Sequence, residues 1–136
     1  MLHMLDTDIA SYIIKERSPE IEARLSAVEP SRVCVSAVTC AELLYGLKRL
    51  PAGHKIHLAV HRFLKIVRVL SWDAEAAAYY ADVRHQLVRA GQPIGELDMM
   101  IAAHSLAASA VLVTNNIRHY DRIRAPLVFQ NWSENA

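Results

Sequence analysis

Short, mostly apolar runs alternate with longer amphipathic stretches along the whole chain. The runs are Met1–Leu5, Val33–Val35 within Arg32–Ser36, Ile66–Leu70, Val111–Val113 and Leu127–Phe129. Runs of this kind lack the apolar–polar alternation of a half-exposed strand, so they read as strands covered on both faces, as in a parallel sheet. Between them apolar residues recur at helical spacing. The spacing predicts helices over Ile9 to about Lys15, from Ser18-Pro19-Glu20 onward with Ile21, Leu25 and Val28, over Ser36–Leu50, over His54–Leu64, over Asp73–Ala90, and onward from Asp98. Strand–helix alternation places the chain in the α/β class, as a three-layer α/β/α sandwich with a short, mainly parallel central sheet. No linker, repeat or low-complexity tract divides it, so 1–136 is expected to form a single domain.

Local signals mark the boundaries. Thr7 or Asp8 is expected to cap the first helix, because a side-chain oxygen there accepts from an unpaired backbone N–H. Ser18 caps the second, with Pro19 suited to its first turn. Pro51-Ala52-Gly53 breaks the third helix. The fourth buries a stripe of Ile56, Val60, Phe63 and Leu64. Gly91 ends the fifth as a C′ glycine. Thr114 to Arg124 reads as a loop.

Composition narrows the function classes. The chain has 136 residues, 53% of them hydrophobic and 21% charged, which excludes long disorder. A net charge of +1 gives no global basic field, so binding to nucleic acid requires a local patch. Cys34 and Cys40 sit in apolar surroundings without a pairing pattern and read as buried free thiols of a reducing compartment. No signal-peptide core opens the chain, and the apolar run Leu97–Val113 is interrupted by Asp98 and His104. A cytoplasmic location is the expectation.

Three carboxylates stand out. Asp6 ends the first strand, Glu42 lies early in the helix after the second, and Asp98 heads the apolar helix. In open α/β sheets, sites form where loops leave the carboxyl ends of strands, and Asp6 and Thr114 both stand at such positions. Clustered carboxylates raise one another's pKa values unless a cation joins them. An all-oxygen set favours Mg²⁺ or Mn²⁺ over zinc. Each residue also has a purely structural reading. Asp6 can be a strand-end turn residue, Glu42 stands at capping-box spacing from Thr39, and Asp98 complements a helix dipole. Spacing alone leaves both readings open.

The motifs Met4-Leu5-Asp6-Thr7-Asp8-Ile9, Ser36-Ala37-Val38-Thr39-Cys40-Ala41-Glu42-Leu43-Leu44-Tyr45-Gly46, Ile94-Gly95-Glu96-Leu97-Asp98-Met99-Met100-Ile101-Ala102-Ala103-His104 and Leu112-Val113-Thr114-Asn115-Asn116, with Gln130-Asn131-Trp132 near the end, resemble in order the motifs of PIN-domain proteins. More narrowly they resemble the VapC toxins of bacterial toxin–antitoxin pairs. The resemblance implies a Mg²⁺-dependent endoribonuclease, with Mn²⁺ as a second candidate ion. Asp6 and Asp98 match the metal-binding aspartates and Glu42 the third acid. Thr7, Thr114 and Asn116 match polar positions that steady the site. A further acid often follows the fourth strand in that family. Here Asn116 and His119 fill its candidate positions and Asp121 is displaced, which implies one tightly held metal and a second recruited with RNA. The resemblance also implies a VapB-like antitoxin partner, docked as a helix in a groove between the Ile9–Val28 and His54–Leu64 stripes, and a homodimer.

Other readings compete. Asp6-Thr7-Asp8 and Val113-Thr114-Asn115 also resemble motifs of haloacid-dehalogenase-like phosphatases. That reading needs a downstream lysine, and after Thr114 there is none; the acids there are Asp121 and Glu134. A catalytically degenerate binding module is the non-enzymatic alternative. Lys48, Arg49 and Arg118 are candidates to hold RNA phosphates, with Arg122 and Arg124 further off, although a solvated surface explains them as well. His54, His57 and His61 read as an exposed helix face, His104 as a hydrogen-bonded, half-buried residue, and Trp72, Tyr79 and Tyr80 as packing.

Overall fold

A computed structural model describes residues 1–133; Glu134 and the rest of the expected 1–136 span lie outside the described residues. Its elements in order are β1 (His3–Leu5), α1 (Thr7–Ile14), α2 (Pro19–Ser26), β2 (Val33–Ser36), α3 (Ala37–Lys48), α4 (Ile56–Ile66), β3 (Arg68–Leu70), α5 (Ala74–Arg89), α6 (Glu96–Ala107), β4 (Val111–Val113), α7 (Ile117–Tyr120) and β5 (Phe129–Gln130). The strands form one sheet in the order β3-β2-β1-β4-β5, every pair parallel. This is the expected three-layer arrangement.

Alternation along the strands feeds two cores. Met4, Cys34 and Leu112 face one side and pack with Val83 and Leu87 of α5 and Met99 and Ala102 of α6. Leu5, Val33, Val35 and Val113 face the other and pack with Ile9 of α1, Leu43 and Leu47 of α3, and Val60 and Phe63 of α4. In the central strands β1, β2 and β4, covered on both faces, Met4–Leu5, Val33–Val35 and Val111–Val113 are apolar whichever way they point, whereas the edge strands β3 and β5 are less buried and carry Arg68 and Gln130.

The chain leaves β1 in one direction for β2 and β3, then crosses back to place β4 on the other flank of β1. Leu5 pairs with both Val35 and Val113, so the carboxyl ends of these strands are level. The crevice between β1 and β4 is the topological switch point of the sheet. Asp6 and Thr114 are the first residues beyond it; the Asp6 amide donates to Val113 O at 2.9 Å.

Several boundaries differ from expectation. Asp6 itself, rather than Thr7 or Asp8, caps α1, its Oδ1 accepting from the Ile9 amide at 2.9 Å. Ser36 caps α3, so Thr39 and Glu42 form no capping box. The third strand starts later, at Arg68, because Ile66 is the last residue of α4 and is exposed. The last strand is shifted to Phe129–Gln130, and the supposed loop after Thr114 contains α7. Cys34 is buried as expected, while Cys40 is only half-buried. As expected, Ser18 caps α2 and Gly91 follows α5 at φ 67°, a left-handed conformation that suits glycine, while Asp73, expected inside α5, is its cap.

Candidate active site

Asp6 is 2% exposed, yet it is an acid. One oxygen is committed to the α1 cap. The Thr114 hydroxyl, itself fully buried at the end of β4, also hydrogen-bonds to the carboxylate. These bonds favour the charged form, but burial outweighs them, and Asp8 and Asp98 add like charge. The Asp6 pKa is pushed from an ordinary 3.8 up to about 7. A carboxylate held at such a cost at a switch point is a functional-site candidate on physical grounds.

The residues around it arrive on four helices. Asp8 lies on the exposed first turn of α1 and accepts from Asn116 Nδ2 at 3.4 Å. The Asn116 amide in turn donates to Thr114 Oγ1 at 2.9 Å. Asp98, in the first turn of α6, is half-buried, and His119 Nδ1 stands 3.5 Å from its Oδ2. Glu42 projects from α3, where Thr7 Oγ1 donates to its Oε1 at 2.5 Å and lies 3.2 Å from Thr39 Oγ1. Asp98 is thus near enough for its charge to bear on Asp6, Glu42 is tied to α1 through Thr7, and Thr114 and Asn116 bond within the same cluster.

Two residues at this centre escaped the sequence reading as site groups. Asp8 was weighed there only as a cap or a phosphatase acid; its position two residues after Asp6, at a helix start, is the signal that puts it on the same edge. Tyr120, the last residue of α7, is fully buried. Burial and the nearby Asp98, Asp6 and Asp8 charges push its pKa far above the usual range. Of the candidates for the missing acid, His119 faces Asp98, whereas Asp121 is exposed and follows α7 as its C-cap.

A buried hydrogen bond sets the spacing of the two acidic helices. His104, on α6, presents Nδ1 2.7 Å from Ser36 Oγ, the cap of α3. Burial lowers the His104 pKa, so the ring is neutral; the Ser36 hydroxyl donates to it while Oγ accepts from the Val38 amide at 3.0 Å. Ser36 precedes Glu42 and His104 follows Asp98, so the bond pins both helices behind their acids.

A groove of about 1040 Å³ opens beside the centre between α1, α3 and α4, with Asp8 and Glu42 at its wall and Arg49, Lys15 and Lys55 along it. Arg49 also stacks over Tyr45, 6.0 Å from the ring centre. A smaller polar cavity of about 430 Å³ is lined by Asn116, Arg118, His119 and Asn131. Lys48 lies on the exposed side of α3. His54 accepts from the Ile56 amide and is exposed, as is His61, with His57 half-buried. The Trp72 indole donates to Met100 O at 3.0 Å, and Tyr80 donates to Glu96 Oε1 at 3.0 Å, in keeping with packing roles.

The donors fit a hard divalent cation. They are carboxylate oxygens, one Asp6 oxygen remains outside the cap, and the like-charge cost on Asp6 is what a cation would relieve. Among the described residues no group of three or more His, Cys, Asp or Glu side chains lies close enough together to hold a metal ion, so the fit rests on one or two carboxylates, as hard cations that retain water allow. Among the described residues no helix is long and apolar enough to cross a membrane.

Comparison with known proteins identifies the family. Residues 3–125 match the PIN domain family. The tRNA(fMet)-specific endonuclease VapC of Salmonella typhimurium is 37% identical over 120 residues, 88% of this chain and 90% of that protein. Ribonuclease VapC2 of Haemophilus influenzae is 35% identical over 130 residues, 96% of this chain and 97% of that protein. Among solved structures, DNA-bound VapBC from Salmonella typhimurium superposes with a TM-score of 0.89 at 35% identity, covering 97% of this chain and 99% of that one. VapBC2 from Rickettsia felis, bound to a promoter DNA fragment, gives 0.88 at 30% identity, covering 97% and 99%. PIN-domain VapC nucleases are metal-dependent. These likenesses set the phosphatase reading aside: the chain belongs to the PIN-domain family, among its VapC ribonucleases.

Proposed function

We propose that the protein is a Mg²⁺-dependent endoribonuclease that hydrolyses RNA phosphodiester bonds at the Asp6–Asp98 centre. The observation that carries this is Asp6, a buried acid kept next to two other aspartates at the switch point although each neighbour makes its charge more costly. Fold stability alone would favour a neutral residue there.

Each residue then has a task. Asp6 and Asp98 would hold the ion, and Asp8, bonded to Asn116, adds negative charge at the rim. A divalent ion bound there supplies Lewis acidity, easing deprotonation of the attacking water and stabilising the leaving oxygen. Thr114 fixes the Asp6 carboxylate. Thr7 occupies one oxygen of Glu42 and leaves the other to orient a water. Arg49 on one side and Arg118 on the other stand where RNA phosphates would pass, with Lys48 a more distant contributor. Mn²⁺ is expected to substitute for Mg²⁺.

By likeness to the VapBC complexes, the protein acts as the toxin of a cytoplasmic toxin–antitoxin pair and is held inactive by a VapB-like antitoxin. The groove between α1, α3 and α4 is the surface such a segment would enter. A homodimer is the expected assembly.

The test is cleavage of a structured RNA pool by antitoxin-free protein with Mg²⁺, Mn²⁺ or chelator, beside Asp98→Asn. Metal-dependent cuts absent from the variant are expected. Cuts that persist in Asp98→Asn would overturn the site assignment. A folded protein that cuts in no arm, even with transfer RNA included, would favour the degenerate binding module.

A further inference from the structure

Tyr120 carries an oxygen that its surroundings do not use. The residue is 0% exposed, its ring belongs to the core that holds Ile94, Met99 and Ala102, and its hydroxyl is shielded from solvent and makes no well-aligned hydrogen bond, although Asp98 is close enough to act on it as a partner. A buried hydroxyl without a partner costs folding free energy, and phenylalanine would fill the same space without that cost. The hydroxyl does not face apolar side chains alone. The negative charges that bear on it are those of Asp98, Asp6 and Asp8, with Asp98 acting most strongly. The neighbouring His119 already approaches Asp98 Oδ2, at 3.5 Å, so α7 presents two consecutive side chains to this one carboxylate. A buried donor next in sequence to His119 is placed to bond to the Asp98 carboxylate once that side chain is drawn into a fixed arrangement.

We propose that Tyr120 is a positioning residue of the acidic centre: its hydroxyl donates to the Asp98 carboxylate, directly or through one water, when the centre binds its cation, and so holds a free Asp98 oxygen toward Asp6. This rests on the reading that Asp98 is a ligand. A bond that fixes the Asp98 carboxylate in its ligating position adds to cation affinity. Hydrogen bonds to ligating carboxylates are worth about 10–100-fold in metal affinity in other sites.

The test is Tyr120→Phe, compared with wild type and Asp98→Asn in calorimetric Mn²⁺ titrations. It is read together with the tyrosine ultraviolet difference spectrum on adding Mn²⁺ and with urea unfolding in chelator. Tyr120→Phe is expected to bind Mn²⁺ about tenfold more weakly with unchanged stoichiometry. It should also lose the metal-induced tyrosine signal and remain at least as stable as wild type when metal-free. A purely structural role predicts the reverse: lower metal-free stability with affinity intact. Wild-type affinity together with an unchanged difference spectrum in Tyr120→Phe would overturn the proposal. Undiminished binding by Asp98→Asn, or no binding by wild type, would instead refute the ligand reading beneath it, and the proposal with it.

Discussion

Asp6→Asn should separate folding from function. Asn keeps the shape of the side chain, and its carbonyl oxygen can still accept from the Ile9 amide as the cap of α1. What it removes is a charge whose pKa rises from 3.8 unfolded to about 7 folded. The folded state therefore holds its proton more tightly than the unfolded one. The stability tied to that proton is complete below about pH 4 and is lost as pH rises through 7. At 1.36 kcal/mol per unit, a rise from 3.8 to about 7 corresponds to a penalty on the order of 4 kcal/mol at pH 8. Urea unfolding in chelator between pH 4.5 and 8 is the assay. Asp6→Asn is expected to be the more stable protein at pH 8, by roughly 2–4 kcal/mol, and the gap should shrink steadily toward pH 4.5. Saturating Mg²⁺ should narrow it, because only the wild type gains stability from binding. Cleavage should be lost in the variant throughout. A gap that does not change with pH, or a wild type that is the more stable at pH 8, would refute the claim that burial of charge dominates at Asp6.

Other outcomes follow from single contacts. His104→Ala leaves a cavity and strips the Ser36 hydroxyl of its acceptor, so it should cost about 2–4 kcal/mol in denaturant unfolding; a loss below about 1 kcal/mol would mean that α3 and α6 are pinned by other contacts. The His104 pKa is lowered by burial, so its share of stability is full above the unfolded value of 6.5 and falls away below it, a pH trend that His104→Ala should lack. Thr7→Val frees Glu42 without unpairing a buried group. It should lower kcat roughly tenfold while leaving Mn²⁺ affinity unchanged, and an unaltered kcat would remove Glu42 orientation from the mechanism. Arg118→Ala should weaken RNA binding and reduce the slope of log affinity against log salt by about one contact; an unchanged slope would place Arg118 off the RNA path.

Legibility in the sequence tracked the distance over which each contact is made. Caps and stops lie within a few residues of what they act on, so Ser18 and Gly91 were readable. The central strands β1, β2 and β4 were readable because burial on both faces leaves apolar runs, whereas the bounds of the less buried edge strands β3 and β5 were not. Contacts that build the site are of another kind. Thr7 and Glu42 are 35 residues apart, and Ser36 and His104 are 68 apart, so neither pairing is written in any local pattern. Glu42 stood at capping-box spacing from Thr39, and only the position of α1 across the groove decides that it bonds to Thr7 instead. Tyr120 lies in a polar stretch that resembles a loop, and its burial arises only when α7 folds against α6. Asp6 shows why local reading fails at such a place. Strand-end turn residue and site acid are the two readings the sequence leaves open for Asp6, with the cap of α1 expected at Thr7 or Asp8, but a carboxylate has two oxygens. In the structure Asp6 ends β1 and caps α1 with Oδ1 at the same time. The structural roles thus use the backbone and one oxygen, and the other remains with Thr114, Asp8 and Asp98 around it. The acid can serve the fold and the chemistry together because the switch point puts a helix start and a neighbouring strand end on opposite sides of one side chain.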